Sequence, residues 1–157
     1  MRKFKLYTDG SHFKPKDGSS GSGRLGVGAV LVDSGGSIID SLSMEVDRIT
    51  IRETYNTSDV SNPTMEMYAL LIALRRFSNK FQFGDEIESF ADYKGVMYWM
   101  YHEWKINKPY IYMIREDITT EVKNQRLSMK YSHVKGHDGN YYNELADKLA
   151  KGEILKV

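Results

Sequence analysis

Residues 3–8 alternate with period two, Phe4, Leu6 and Thr8 on one side and Lys3, Lys5 and Tyr7 on the other, which predicts a half-buried strand. Asp9-Gly10-Ser11 is expected to end it. The stretch up to Gly26 is rich in Gly, Ser and Lys and contains Pro15, so an exposed loop is predicted there, long for a compact domain. An apolar strand over 26–32, a turn at Asp33-Ser34-Gly35-Gly36 and a strand over 37–45 form an antiparallel hairpin. Between 47 and 61 the pattern weakens, and Ile49 and Ile51 fit either a strand extension or a packed connection.

Asn62-Pro63 signals a helix start, with Asn62 as the cap and proline where no amide partner is needed. The helix is expected to reach about Phe77. Met67, Leu70, Leu71 and Leu74 make one apolar face and Met65, Ala69, Ile72 and Ala73 another, so it is buried on more than one side and Glu66 is out of place. A short strand over 86–91 stops before Asp92. Tyr93, Val96, Met97, Met100, Tyr101 and Trp104 then recur at helical spacing, a stripe expected to pack as core. Asn107-Lys108-Pro109 breaks this helix and another follows over 110–125. Leu127, Met129, Tyr131 and His133 alternate as a strand, with His133 read as structural. The loop Gly136-His137-Asp138-Gly139 leads into a last helix carrying Leu145, Ala146, Leu149 and Ala150. Three strands, helix, strand, two helices, strand and helix predict one α/β domain over 1–157 with a mixed sheet.

Cysteine is absent, which excludes a disulfide scaffold and thiolate zinc sites. No apolar run approaches the ~20 residues of a membrane helix, and the first residues alternate as a strand does, so a soluble, cytoplasmic protein without a membrane partner is expected. A net charge of +1 selects no partner. Two motif matches carry no function. Gly21-Ser22-Gly23-Arg24-Leu25-Gly26 fits a dinucleotide fingerprint, but a strand follows it where that fingerprint needs a helix. Asn56-Thr57-Ser58 fits a glycosylation acceptor in a chain without a secretory signal.

Four acids then change the picture. Asp9 and Asp92 follow strands, where ligands bind in α/β sheets; Glu66 lies in the first turn of a buried helix and Asp147 inside the last one. Singly, each has an ordinary reading: a turn residue at Asp9, a dipole-favoured acid at Glu66, a helix cap at Asp92, and i,i+4 pairing with Lys151 at Asp147. Together they would repel unless cations joined them, and oxygen-only ligands suit magnesium or manganese. Without these four acids the remaining chain is net positive, which suits a phosphate backbone.

Read with their neighbours, Tyr7-Thr8-Asp9-Gly10-Ser11, Thr64-Met65-Glu66, Phe90-Ala91-Asp92, and Lys135-Gly136-His137 followed by Asn143-Glu144-Leu145-Ala146-Asp147, the acids give the chain a resemblance to type 1 ribonuclease H along nearly its whole length. The resemblance implies a three-layer ribonuclease H-like fold, a five-stranded mixed sheet flanked by helices. It implies an endonuclease that hydrolyses the RNA strand of RNA/DNA hybrids, leaving 5′-phosphate and 3′-hydroxyl ends. Asp9, Glu66, Asp92 and Asp147 match the family's metal-binding carboxylates, for two Mg2+ ions with Mn2+ as a possible substitute. His137 matches a loop histidine credited with proton transfer and product departure. Gly10 and Asn62 match positions that contact nucleic acid, and Ser11, Lys94 and Lys135 are further candidate substrate contacts. A monomer is expected.

The chain also departs from the family. Tyr93-Lys94 stands where a small hydroxyl residue and a glutamine are common, and the stretch 104–110 is too short for the basic helix and loop of many relatives, so weaker hybrid binding is expected. Two other readings stay open: a DNA-cutting nuclease or resolvase of the same fold, and a non-catalytic hybrid-binding module.

Overall fold

The computed structural model describes residues 1–12, 24–135 and 140–154. Five strands form one mixed sheet: β1 (Lys3–His12), β2 (Leu25–Asp33), β3 (Ile38–Val46), β4 (Glu86–Ala91) and β5 (Ser128–His133). Their order across the sheet is β3-β2-β1-β4-β5. β1–β2 and β2–β3 pair antiparallel, whereas β1–β4 and β4–β5 pair parallel, so β1 is the seam between a hairpin half and a crossover half. The helices are α1 (Arg48–Tyr55), α2 (Asn62–Arg76), α3 (Lys94–Met100), α4 (Pro109–Gln125) and α5 (Tyr141–Lys151).

Each sheet face has its own core. On one, Leu6, Leu31, Ile87 and Ala91 pack against α2, whose residues Thr64 to Leu74 are all buried, backed by Ile114 and Ile118 of α4. On the other, Tyr7, Val30 and Val32 are covered by Leu145, Ala146 and Leu149 of α5. Burial of each large aliphatic side chain there is worth ~1.5–3 kcal/mol.

The expected elements are present, with four differences. β1 continues through Gly10, Ser11 and His12, because these residues pair with Val27, Gly26 and Leu25. The open segment after residue 47 holds α1, neither strand extension nor bare connection: Asp47 caps it by accepting from the Ile49 amide at 2.9 Å, and Ile51 and Tyr55, one turn apart, face the core. Ser61, not Asn62, occupies the cap position of α2. Tyr93, not Asp92, is the cap of α3, and that helix ends at Met100, after which His102 turns the chain at φ 59° and Trp104 stacks on Tyr98 at the surface.

At the β5 edge, the Tyr131 amide donates to the Tyr101 hydroxyl at 2.7 Å, so a side chain takes up one backbone donor of the edge strand. No helix among the described residues is long and apolar enough to cross a membrane.

Candidate active site

The site forms where the sheet loses a partner. β1 is paired with β4 only as far as Tyr7, opposite Phe90; from Thr8 onward its partner is β2 alone. Asp9 lies just beyond that point on β1, and Asp92 just beyond the end of β4.

Two glycines let helices bring in the other acids. A Cβ on Gly10 would stand 2.4 Å from the Met65 carbonyl oxygen, so only glycine admits the first turn of α2 this close to β1. The approach puts Glu66 on the strand: the Gly10 amide donates to its Oε1 at 2.9 Å. Gly28, across the ladder from Asp9, does the same for α5, since a Cβ there would lie 2.1 Å from the Ala146 carbonyl oxygen and 2.4 Å from the Ala150 nitrogen. Asp147 follows Ala146 and interacts with Asp9, while Lys151 holds its Oδ2 at 3.0 Å in the i,i+4 pair that the spacing allows.

Carboxylate oxygens of Asp9, Glu66 and Asp92 lie within 4.8 Å of one another, the first two buried and the third half-buried. Glu66 is fully buried, and among the described residues its Oε2 meets no hydrogen-bond donor. Burial pushes the Asp9 carboxyl up to about 7, against a lowering by Glu66, and Asp147 and Asp92 raise it further. Glu66 is pushed well above its ordinary value by burial, then by Asp9 and Asp92. An acid cluster with an orphaned buried oxygen, its carboxyls pushed upward by burial and by one another, is one that a divalent cation would complete. The donor set is all carboxylate, which fits magnesium or manganese.

The other sequence-predicted residues divide. Gly10, Ser11 and Asn62 line a hollow of about 120 Å3 with His12 and Met65, next in sequence to Asp9 and Glu66. Asn62 is exposed at the first residue of α2. Lys94, the first residue of α3, and Lys135, beyond β5, are exposed. His137, with Gly136 and Gly139, lies outside the described residues, as does most of the Ser/Gly-rich loop. Sequence reasoning missed His12, and missed that the His133 ring meets the backbone carbonyl of Asp92 at 3.0 Å. The first carries a signal in its place directly after Gly10-Ser11; the second depends on strand register and has none.

The model of the RNase H family matches residues 1–154. The chain belongs to the RNase H family. Ribonuclease H of Neorickettsia sennetsu is 28% identical over 168 residues, covering 98% of this chain and 93% of that protein. Ribonuclease H of Anaplasma marginale is 31% identical over 106 residues, 62% of this chain and 67% of that protein. Among solved structures, RNase H1 from the halophilic archaeon Halobacterium salinarum NRC-1 matches with a TM-score of 0.70 at 24% identity, covering 94% of each chain. LC11-RNase H1, solved in complex with an RNA/DNA hybrid, matches with a TM-score of 0.71 at 17% identity over 94% of this chain and 96% of that one. These likenesses establish the three-layer α/β architecture of an RNase H-family enzyme.

Proposed function

We propose that this RNase H-family enzyme is an endonuclease that hydrolyses the RNA strand of RNA/DNA hybrids, using two divalent cations and leaving 5′-phosphate and 3′-hydroxyl ends. The observation that carries the reading is the meeting of Asp9, Glu66 and Asp92 around a buried carboxylate oxygen without a donor, with Asp147 against Asp9. Relatives named ribonuclease H, and a structural neighbour solved with a hybrid, support the substrate class.

Asp9, Glu66, Asp92 and Asp147 would hold the metal, with Mg2+ the expected ion. When bound, such ions lower the pKa of an attacking water and offset charge on the leaving 3′-oxygen. The chain's own part is placement. Gly10 fixes Glu66 through its amide, and Gly28 sets how closely α5 brings Asp147 to Asp9. The hollow of Gly10, Ser11 and Asn62, next in sequence to Asp9 and Glu66, would be the minor-groove contact, and 2′-hydroxyls read there would separate RNA from DNA. Lys94 and Lys135 would meet phosphates, and His137 would serve proton transfer and product departure.

The test is an end-labelled RNA/DNA hybrid beside duplex DNA and single-stranded RNA, each with Mg2+, Mn2+ or chelator. Metal-dependent cutting of the hybrid's RNA strand alone, lost in a folded Asp92→Asn variant, is the expected result. Cutting of duplex DNA would make this a DNA nuclease of the same fold, and hybrid binding without cutting would make it a binding module.

A further inference from the structure

Asp92 sits in a two-residue bend between β4 and α3, and two contacts reach that bend from β5. The Val134 amide donates to the Ala91 carbonyl at 2.9 Å, continuing the parallel ladder by one step past the paired residues Ala91 and His133. One residue further, where the ladder has ended, the ring nitrogen Nε2 of His133 lies 3.0 Å from the Asp92 carbonyl oxygen. A carbonyl only accepts, so Nε2 carries the proton in this contact. At the start of α3 the cap residue Tyr93 makes no side-chain hydrogen bond to the helix.

The strand register explains why this position can reach. His133 has the parity of Met129 and Tyr131, which pack on the α2–α3 side of the sheet, and it is the last residue of β5 on that side. Its ring therefore stands at the top of the sheet, beside the turn that carries Asp92 out of it. An exposed histidine here has no packing duty comparable to that of Tyr131, whose ring meets Tyr101 edge-on.

We propose that His133 is a positioning residue: by donating from Nε2 to the Asp92 carbonyl it fixes the backbone of a metal-binding carboxylate, and so sets how tightly the acid cluster takes a divalent cation. The role rests on the reading of Asp9, Glu66, Asp92 and Asp147 as a metal site, and it is separate from that of the loop histidine His137. Groups one step removed from a metal, which orient its ligands, commonly change metal affinity or activity by 10–100-fold when removed. The contact here runs through the backbone of a half-buried residue, which places the effect at the lower end, about tenfold.

The experiment compares the parent with His133→Ala and His133→Gln. Glutamine keeps an N–H donor at a reach close to that of Nε2; alanine removes it. Mn2+ binding is measured by calorimetry on the protein without nucleic acid, and the Mg2+ concentration for half-maximal cleavage is measured beside KM for a hybrid. For His133→Ala, metal binding weakens about tenfold and the Mg2+ requirement rises in parallel, while KM for the hybrid at saturating metal stays within about twofold of the parent. His133→Gln restores most of the metal affinity. Parent-like Mn2+ binding in His133→Ala overturns the proposal. So does an equal loss in both variants with lowered thermal stability, which marks His133 as purely structural. Should the parent bind Mn2+ but cut no hybrid, the reaction assigned above fails while the calorimetric comparison still decides the role of His133.

Discussion

Gly28→Ala tests whether the close approach of α5 to β2 builds the site. The added Cβ would stand 2.1 Å from the Ala146 carbonyl oxygen and 2.4 Å from the Ala150 nitrogen, whereas real Cβ contacts essentially never fall below 3.0 Å. Both obstacles are backbone, so no rotamer change relieves them and α5 must withdraw as a body by about 1 Å. Forcing an extra methyl into a packed interface of this kind costs ~1–3 kcal/mol. At ~2–4 °C per kcal/mol for a chain of this length, Tm falls by roughly 2–12 °C. The same withdrawal carries Asp147 away from Asp9, and a displacement near 1 Å at reacting groups costs on the order of a hundredfold in rate. The assay pairs thermal unfolding with hybrid cleavage at saturating Mg2+, well below the lowered Tm. Gly35→Ala is the control, because its Cβ meets only Asp33 Oδ1 at an ordinary 3.5 Å and both stability and rate should be unchanged. A Gly28→Ala variant as stable and active as the control refutes the packing argument. One that is destabilised yet cuts at the parent rate per folded molecule refutes the link from helix approach to Asp147.

Three further outcomes follow from the same geometry. Asp9 titrates near 3.8 in the ordinary carboxylate range and at about 7 in the fold, so between those values the folded chain binds more protons than the unfolded one and stability falls as pH rises through that window. With chelator present Tm should therefore be lower at pH 8 than at pH 5.5, and Mg2+ should raise it at pH 8 far more than at pH 5.5; a Tm independent of pH and metal would contradict the upward shift of Asp9. Glu66→Gln keeps an acceptor for the Gly10 amide and removes one charge from the cluster, so the metal-free variant should match or exceed the parent in Tm at pH 8 while Mg2+ stabilisation disappears and cleavage falls by on the order of a hundredfold or more; retained cleavage would remove Glu66 from the metal site. The connection between α3 and α4 holds no helix, and its Lys108 is already engaged by Asp59 at 3.1 Å, so few cations are offered to phosphates and hybrid affinity should be weak, with a shallow dependence on salt; nanomolar binding at physiological salt in a filter-binding titration would show that other cations carry the backbone.

The sheet was legible because β1, β4 and β5 alternate and β2 is a continuous apolar run before a turn signal, and α2 because a largely apolar segment after Asn62-Pro63 has few other solutions. Glu66 stood out for the same reason: one acid in a helix buried all round is a local contradiction, and such contradictions gather at sites. α1 escaped because it spans eight residues with only Ile51 and Tyr55 buried, too little repeat to set a period. The length of β1 escaped because Gly10-Ser11 has the composition of a turn, while its use is to admit α2. The cap of α2 was misplaced by one residue, as proline fits either of the first two helical positions and Ser61 caps through its backbone alone. The contact between His133 and Asp92 depends on which residues of β4 and β5 end level with one another, a tertiary fact that no local pattern encodes.

Among the described residues, the face of the sheet opposite α2 is closed by α5, which follows all five strands in the chain. Until it emerges, a growing chain can assemble all five strands and the α2 core while Tyr7, Val30 and Val32 remain open to water and the acid cluster lacks Asp147. Covering that apolar face and completing the acid cluster are thus one event. A chain cut short before residue 141 would be inert and adhesive at once, suited to capture by chaperones and unable to act on any nucleic acid it meets.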